Sequence, residues 1–123
     1  MAEYIDGFIF PLARKHLETY RDIATQVAEI WKAHGALAYH EFVDDDLYLE
    51  GTRSFPETLK VNDDESVVFG WVVFPSKEIR DAANRAVPQD PRMAGLIAPL
   101  LQSDAPIFDP AQMVYGGFRK LGE

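Results

Sequence analysis

The run Val67-Val68-Phe69-Gly70-Trp71-Val72-Val73-Phe74 decides the fold. Eight uncharged residues, mostly β-branched or aromatic, read as a strand. Both alternating sets are apolar, so this strand belongs at the centre of a sheet. Pro75-Ser76 ends it, and the Ser76 hydroxyl is placed to cap a following helix. That helix is expected over 77–87, with Ile79, Ala82, Ala83, Ala86 and Val87 as its apolar side and Pro88 as its stop. Asp90-Pro91 signals a second, short helix over 91–98, interrupted near Pro99. Residues 102–110 read as loop. Met113 to Leu121 reads as the last strand, with Gly116-Gly117 marking a bulge or a close approach.

Upstream of the central run, residues 47–65 read as a long connection with an irregular strand near Tyr48 and Leu49. Pro56 and Asn62-Asp63-Asp64-Glu65 mark turns. Leu37 to Val43 alternates as a strand that Asp44-Asp45-Asp46 terminates. Residues 13–34 carry Leu17, Tyr20, Ala24, Val27, Trp31 and His34 at spacings of three and four, the stripe of an amphipathic helix. Gly35 sits where a left-handed cap is expected. Tyr4 to Phe10 reads as the first strand, stopped by Pro11.

The order is therefore strand, helix, strand, strand, helix, short helix, strand. This is the α+β, ferredoxin-like βαββαβ pattern. Its simplest form is one domain over 1–123, with a four-stranded antiparallel sheet in the order 4-1-3-2 and both helices on one face. Gly7 and Gly70 suggest the covered face, where small residues let helices approach. Tyr4, Asp6, Phe8, Phe69, Trp71 and Val73 would then line the open face. So many apolar groups on one surface mark an interaction site, and a homodimer of face-to-face sheets is expected.

The chain has 123 residues, 47% of them hydrophobic, enough for one domain with its own core. It has no cysteine, so disulfides, thiolate metal sites and Cys nucleophiles are ruled out. The net charge of −8 is uneven: residues 41–65 hold nine acids and two bases, and the remainder is nearly neutral. Basic residues cluster only in pairs, Arg14-Lys15 and Arg119-Lys120, which argues against nucleic acid and anionic membranes. No stretch is long and apolar enough to span a bilayer, and the start lacks signal-peptide character, so a cytoplasmic location is expected. The acidic stretch reads as a solvated flap near an edge strand, or as the mouth of a cleft that repels anions.

Asp6 stands out because it lies mid-strand among aromatics. A buried carboxylate there must be paired, hydrogen-bonded or shifted in pKa. It is either a structural bond or an acid–base group. Glu41 and Tyr115 are the next polar candidates, Glu41 lying on the same side of its strand as Tyr39. Tyr4, Phe8, Tyr39, Phe69 and Trp71 would form the wall of a cleft, and Arg80 and Asn84 share a helix side that could reach a ligand. Asp81 and Arg85 are spaced for an i,i+4 ion pair. His16, His34 and His40 have no metal-ligand spacing, and the Asp44–Asp46 run lacks the glycine and closing glutamate of a calcium loop. No phosphate-binding or nucleophile motif occurs. The residues call for no metal and no cofactor.

Seven separated motifs resemble one family: Tyr-Ile-Asp-Gly-Phe (4–8), His-Gly-Ala-Leu (34–37), Ser-Phe-Pro (54–56), Glu-Ser-Val-Val-Phe-Gly-Trp (65–71), Arg-Asp-Ala-Ala-Asn (80–84), Asp-Pro-Arg-Met (90–93) and Val-Tyr-Gly-Gly-Phe (114–118). Together they are similar to the YbaA-like family of uncharacterised bacterial proteins. The resemblance implies a ferredoxin-like fold of the dimeric α/β-barrel group and no particular reaction, since that group spans cofactor-free monooxygenases, isomerases, haem enzymes and ligand sensors. Some relatives carry a name linked to signal-recognition-particle RNA, against which the acidic composition speaks. Two functions follow as expectations. One is a homodimer that binds a small, partly apolar molecule in a cleft on the open sheet face, with Asp6 as acid–base group and possible cofactor-free catalysis. The other is a non-catalytic module whose open face serves only dimerisation.

Overall fold

The central run lies in β3 (Glu65–Phe74), which is hydrogen-bonded on both sides. β1 (Tyr4–Ala13) pairs with it along one edge and β2 (Ala38–Val43) along the other. β4 (Val114–Arg119) pairs with the far side of β1. All pairings are antiparallel, and the order is β2-β3-β1-β4, or 4-1-3-2 counted from the other edge. The helices are α1 (Leu17–Ala33), α2 (Phe55–Leu59), α3 (Lys77–Ala86) and α4 (Pro91–Leu101). This computed structural model describes residues 3–101 and 107–122.

The caps follow from local chemistry. Ser76 Oγ accepts the Ile79 amide at 3.2 Å and starts α3. Asp90 Oδ1 accepts the Arg92 amide at 2.9 Å ahead of Pro91. Gly35, at φ +110°, turns the chain out of α1, and a Cβ there would stand 2.7 Å from Ile79 Cγ2 of α3.

α1, α3 and α4 cover one face of the sheet. Trp31 of α1 lies edge-on to Phe74, Arg80 of α3 reaches Asp6, and Leu100 of α4 shares a cavity wall with Phe8 and Val72. The core beneath them includes Phe8, Phe10, Leu12, Val68, Val72, Phe74 and Ala83. The open face carries Ile5, Gly7 and Ile9 of β1 against Val73, Trp71 and Phe69 of β3. Phe69, Phe42, Val114 and Phe118 are exposed. Phe42 stacks on Trp71 at 5.3 Å and Phe55 of α2 meets Phe69 at 6.2 Å, so aromatic rings run along this face.

This corrects the side assigned to β1. Tyr4, Asp6 and Phe8 were expected on the open face and lie on the helix side, while Phe69, Trp71 and Val73 are on the open face. The reason is register. Gly7 pairs with Trp71 and Phe8 with Gly70, so the two glycines point to opposite faces. The space above Gly70 is filled not by a helix but by the Phe8 ring and the His40 carbonyl. Gly116 and Gly117 form no bulge, since the β1–β4 register is unbroken. Gly117 is instead a close approach, where a Cβ would strike Arg80 and the Tyr4 hydroxyl.

Smaller corrections have local causes. β1 runs through Pro11 to Ala13 because β4 ends opposite Ile9, leaving Pro11 on an edge where its missing N–H is tolerated. The connection 47–65 holds a helix, α2, and no strand at Tyr48–Leu49. Ser54 caps that helix by accepting the Glu57 amide at 3.3 Å, and Pro56 sits in its first turn. α4 continues through Pro99 to Leu101. Of the loop expected at 102–110, residues 102–106 lie outside the described residues.

Candidate functional site

Asp6, at the middle of β1, is 2% exposed. Its Oδ1 accepts from Arg80 Nε at 2.8 Å. The guanidinium of Arg80 lies over the Tyr4 ring, 5.0 Å from its centroid, and donates to Asp81 Oδ1 at 2.9 Å and to the Tyr115 hydroxyl at 3.2 Å. Asn84 Nδ2 donates to the same hydroxyl at 3.0 Å. The i,i+4 spacing of Arg80 and Asn84 on α3 thus turns both toward β1 and β4. Tyr115 is adjacent because it pairs with Phe8, two residues from Asp6. Burial and the neighbouring Asp6 carboxylate raise the Tyr115 pKa, while Asn84 and Arg80 oppose the rise.

This cluster borders a cavity of about 400 Å³ between the sheet and helices α1 and α4. Asp6 and Tyr115 stand on its wall among apolar residues such as Phe8, Val27, Trp31, Val72, Ile97 and Met113. The volume is that of a small-molecule site. The lining offers the Asp6 carboxylate and the tyrosines Tyr20, Tyr39 and Tyr115 to a mainly apolar guest, while the Arg80 guanidinium holds Asp6 from beyond the cavity wall.

A second cluster lies across the sheet face. Glu41 on β2 accepts the Tyr20 hydroxyl through Oε1 and the Tyr39 hydroxyl, at 3.0 Å, through Oε2. Burial raises the Glu41 pKa, and the two tyrosine hydrogen bonds hold the rise back. Burial first, then the Glu41 charge, pushes both tyrosines well above the usual phenol range. Tyr20 had been read only as part of an apolar stripe. The signal that could have found it is its spacing on the inward side of α1, opposite the single acid on β2 that faces the helices. A third cluster joins the ends of two helices: His34 Nε2 and Arg92 Nη2 lie 2.8 and 2.7 Å from Asp90 Oδ2. Arg92 first, and then His34, hold the Asp90 carboxyl well below its usual range.

The tyrosines give a testable pH dependence. A pKa raised on folding contributes stability below the unfolded value, about 10 for a phenol, that is lost as pH rises past it. Of the five tyrosines, Tyr20 and Tyr39 are expected to stay protonated in an alkaline titration followed by tyrosinate absorbance, and to ionise only with unfolding. Normal titration of Tyr20 and Tyr39 in the folded protein would contradict the buried Tyr20–Glu41–Tyr39 cluster.

The structure therefore splits the sequence-derived residues. Asp6, Tyr115, Arg80, Asn84 and Tyr4 come together, with Phe8 and Tyr39 on the same side of the sheet. Glu41 shares that face but belongs to the second cluster, and Phe69 and Trp71 lie on the opposite face. The expected Asp81–Arg85 pair does not form; Asp81 binds Lys77, which has the same i,i+4 spacing, at 3.1 Å, and the adjacent Arg80 at 2.9 Å. Among the described residues there is no group of three side chains suited to hold a metal ion, and no helix is long and apolar enough to cross a membrane.

Comparison with known proteins agrees with the motifs. The chain is 34% identical to "Uncharacterized protein YbaA" of Escherichia coli K12 over 119 residues, 97% of each chain. The relative of the same name in Shigella flexneri matches equally. Among solved structures, "Structure of Rv0793 from Mycobacterium tuberculosis" superposes with a TM-score of 0.55 at 14% identity, covering 98% of this chain and 97% of that one, a likeness of fold alone. Residues 3–105 match the model of one family, and the chain belongs to it: "Protein of unknown function (DUF1428)".

Proposed function

We propose that this protein is a cytoplasmic homodimer of the ferredoxin-like, dimeric α/β-barrel type, and that each subunit binds a small, partly apolar molecule. The ligand site is the cavity between sheet and helices. Asp6 and Tyr115 meet the ligand's polar end, Arg80 and Asn84 orient them, and Phe8, Trp31 and Val72 hold its apolar body. Asp6 is the acid–base group if the site is catalytic. The observation that carries this reading is the buried Asp6 carboxylate beside the Tyr115 phenol on the wall of a mainly apolar cavity of about 400 Å³. The open face supports the dimer, because Phe42, Phe69, Val114 and Phe118 leave a broad apolar sheet surface uncovered.

The Asp6–Arg80 pair favours a second reading, in which Asp6 is structural and the protein is a non-catalytic module that uses only its open face. One experiment separates the two. Neutral, partly apolar compounds are screened by thermal shift, and hits are retested on Asp6→Asn and on Val27→Trp, which fills the cavity. The ligand reading expects hits that Val27→Trp abolishes and Asp6→Asn weakens by about 10–100-fold, the worth of a hydrogen bond to a charged group. Hits indifferent to both variants leave the non-catalytic module. Sedimentation showing a stable monomer at micromolar concentration would sink the dimer.

A further inference from the structure

A groove of about 510 Å³ runs along the outer side of α1, between that helix and the edge strand β2, and shares Tyr20, Ala24 and Tyr39 with the wall of the inner cavity. Its apolar lining includes Leu17, Ala24, Ala28 and Val43, and Tyr20, Tyr39 and Glu41 stand at its inner end. We propose that this groove is a second binding site, for a primary alkylammonium ion or a ligand that ends in one.

Glu41 carries the argument. Asp6 and Asp90 each have an arginine partner. No ion pair found among the described residues reaches Glu41, whose two oxygens accept only tyrosine hydroxyls. A carboxylate can accept about four hydrogen bonds, so capacity remains on both oxygens. An ammonium supplies three donors and the missing positive charge. The alkyl chain would lie on Leu17, Ala24 and Ala28, where taking its methylenes out of water favours binding.

The surrounding charge favours the same guest. Glu18 and Glu29 lie on the rim, and Asp44-Asp45-Asp46 follows Val43 directly. Arg21 and Lys32, the latter 3.9 Å from Glu29, balance the two rim acids, so the excess negative charge comes from Glu41 and the aspartate run. The acidic 41–65 stretch thus adds a field that draws cations toward this edge and repels anions.

The test uses three probes of one length, hexylammonium, 1-hexanol and hexanoate, at an ionic strength of about 0.15 M. Binding is followed by amide chemical shifts of the full-length protein. Hexylammonium is expected to bind saturably, at least about tenfold tighter than hexanol, shifting residues 28, 41 and 43, which line the groove and not the inner cavity, while hexanoate does not bind. Glu41→Gln should bring hexylammonium down to the alcohol's level. Ala28→Phe, which narrows the groove without touching Glu41, should weaken both. The proposal is overturned if unsubstituted protein binds hexanol as well as hexylammonium, if the preference survives Glu41→Gln, or if the shifts map to Val72, Ile97 and Leu100 in the inner cavity. The three-probe comparison on the unsubstituted protein decides the matter even if Glu41→Gln fails to fold. The inner-cavity reading does not depend on the result.

Discussion

Replacing Arg80 with methionine is expected to destabilise the protein by about 3–5 kcal/mol, the cost of leaving a buried charge without its partner. The Asp6 side chain is 3% exposed and the Arg80 side chain 15%, so water does little to screen them. Methionine keeps much of the apolar stem and removes the guanidinium that serves Asp6, Asp81 and Tyr115 together. Lysine is not a neutral exchange, because it lacks the planar fork that meets three acceptors and stacks on Tyr4. Adding Asp6→Leu to Arg80→Met removes the stranded carboxylate, and the double variant should recover a large part of the loss. Urea midpoints of the unsubstituted protein, Arg80→Met and the double variant, at constant slope, measure this directly. A cost below about 0.5 kcal/mol for Arg80→Met would place the pair in solvent, contrary to the structure.

Phe10→Ala is expected to cost a further about 3–5 kcal/mol by a different mechanism. Phe10 is 1% exposed, and its ring meets Phe108 edge-on at 5.0 Å, Tyr20 at 5.5 Å and Phe8 at 6.3 Å. It thereby ties β1 to α1 and to the segment that leads into β4. Alanine removes the ring and leaves a hole that three other rings cannot close without leaving their own positions. Phe10→Leu should cost clearly less, because it retains most of the volume. Thermal or urea unfolding checks the order Ala, then Leu, then the unsubstituted chain. Equal stability of the alanine and unsubstituted proteins would remove Phe10 from the core.

The element order, the inner place of β3 and the long helix after the first strand were legible because each rests on local chemistry: a run without charge, a 3–4 stripe, a serine or aspartate cap. The face of β1 was not. Alternation sorts a strand's residues into two sets, but which set points inward depends on register with the neighbouring strand. Reading Gly7 and Gly70 as one surface ignored that Gly7 pairs with Trp71. The polar site was legible residue by residue, since Asp6, Tyr115, Arg80 and Asn84 are polar groups at strand or helix positions that pack. Their meeting was not legible, because it needs β1, α3 and β4 in place together. α2 was missed although Ser54-Phe55-Pro56-Glu57 spells a capping box with proline in the first turn, because the acidic composition around it suggested only a solvated connection.

The Phe8 ring over Gly70 has a consequence for how this fold can change through descent. The two positions behave as one volume divided between two strands. A side chain gained at 70 has to be matched by bulk surrendered at 8, and neither step is comfortable alone. Lineages that depart from the pair should therefore show a small residue at 8 wherever 70 has grown, a paired exchange that neither strand's own alternation would suggest.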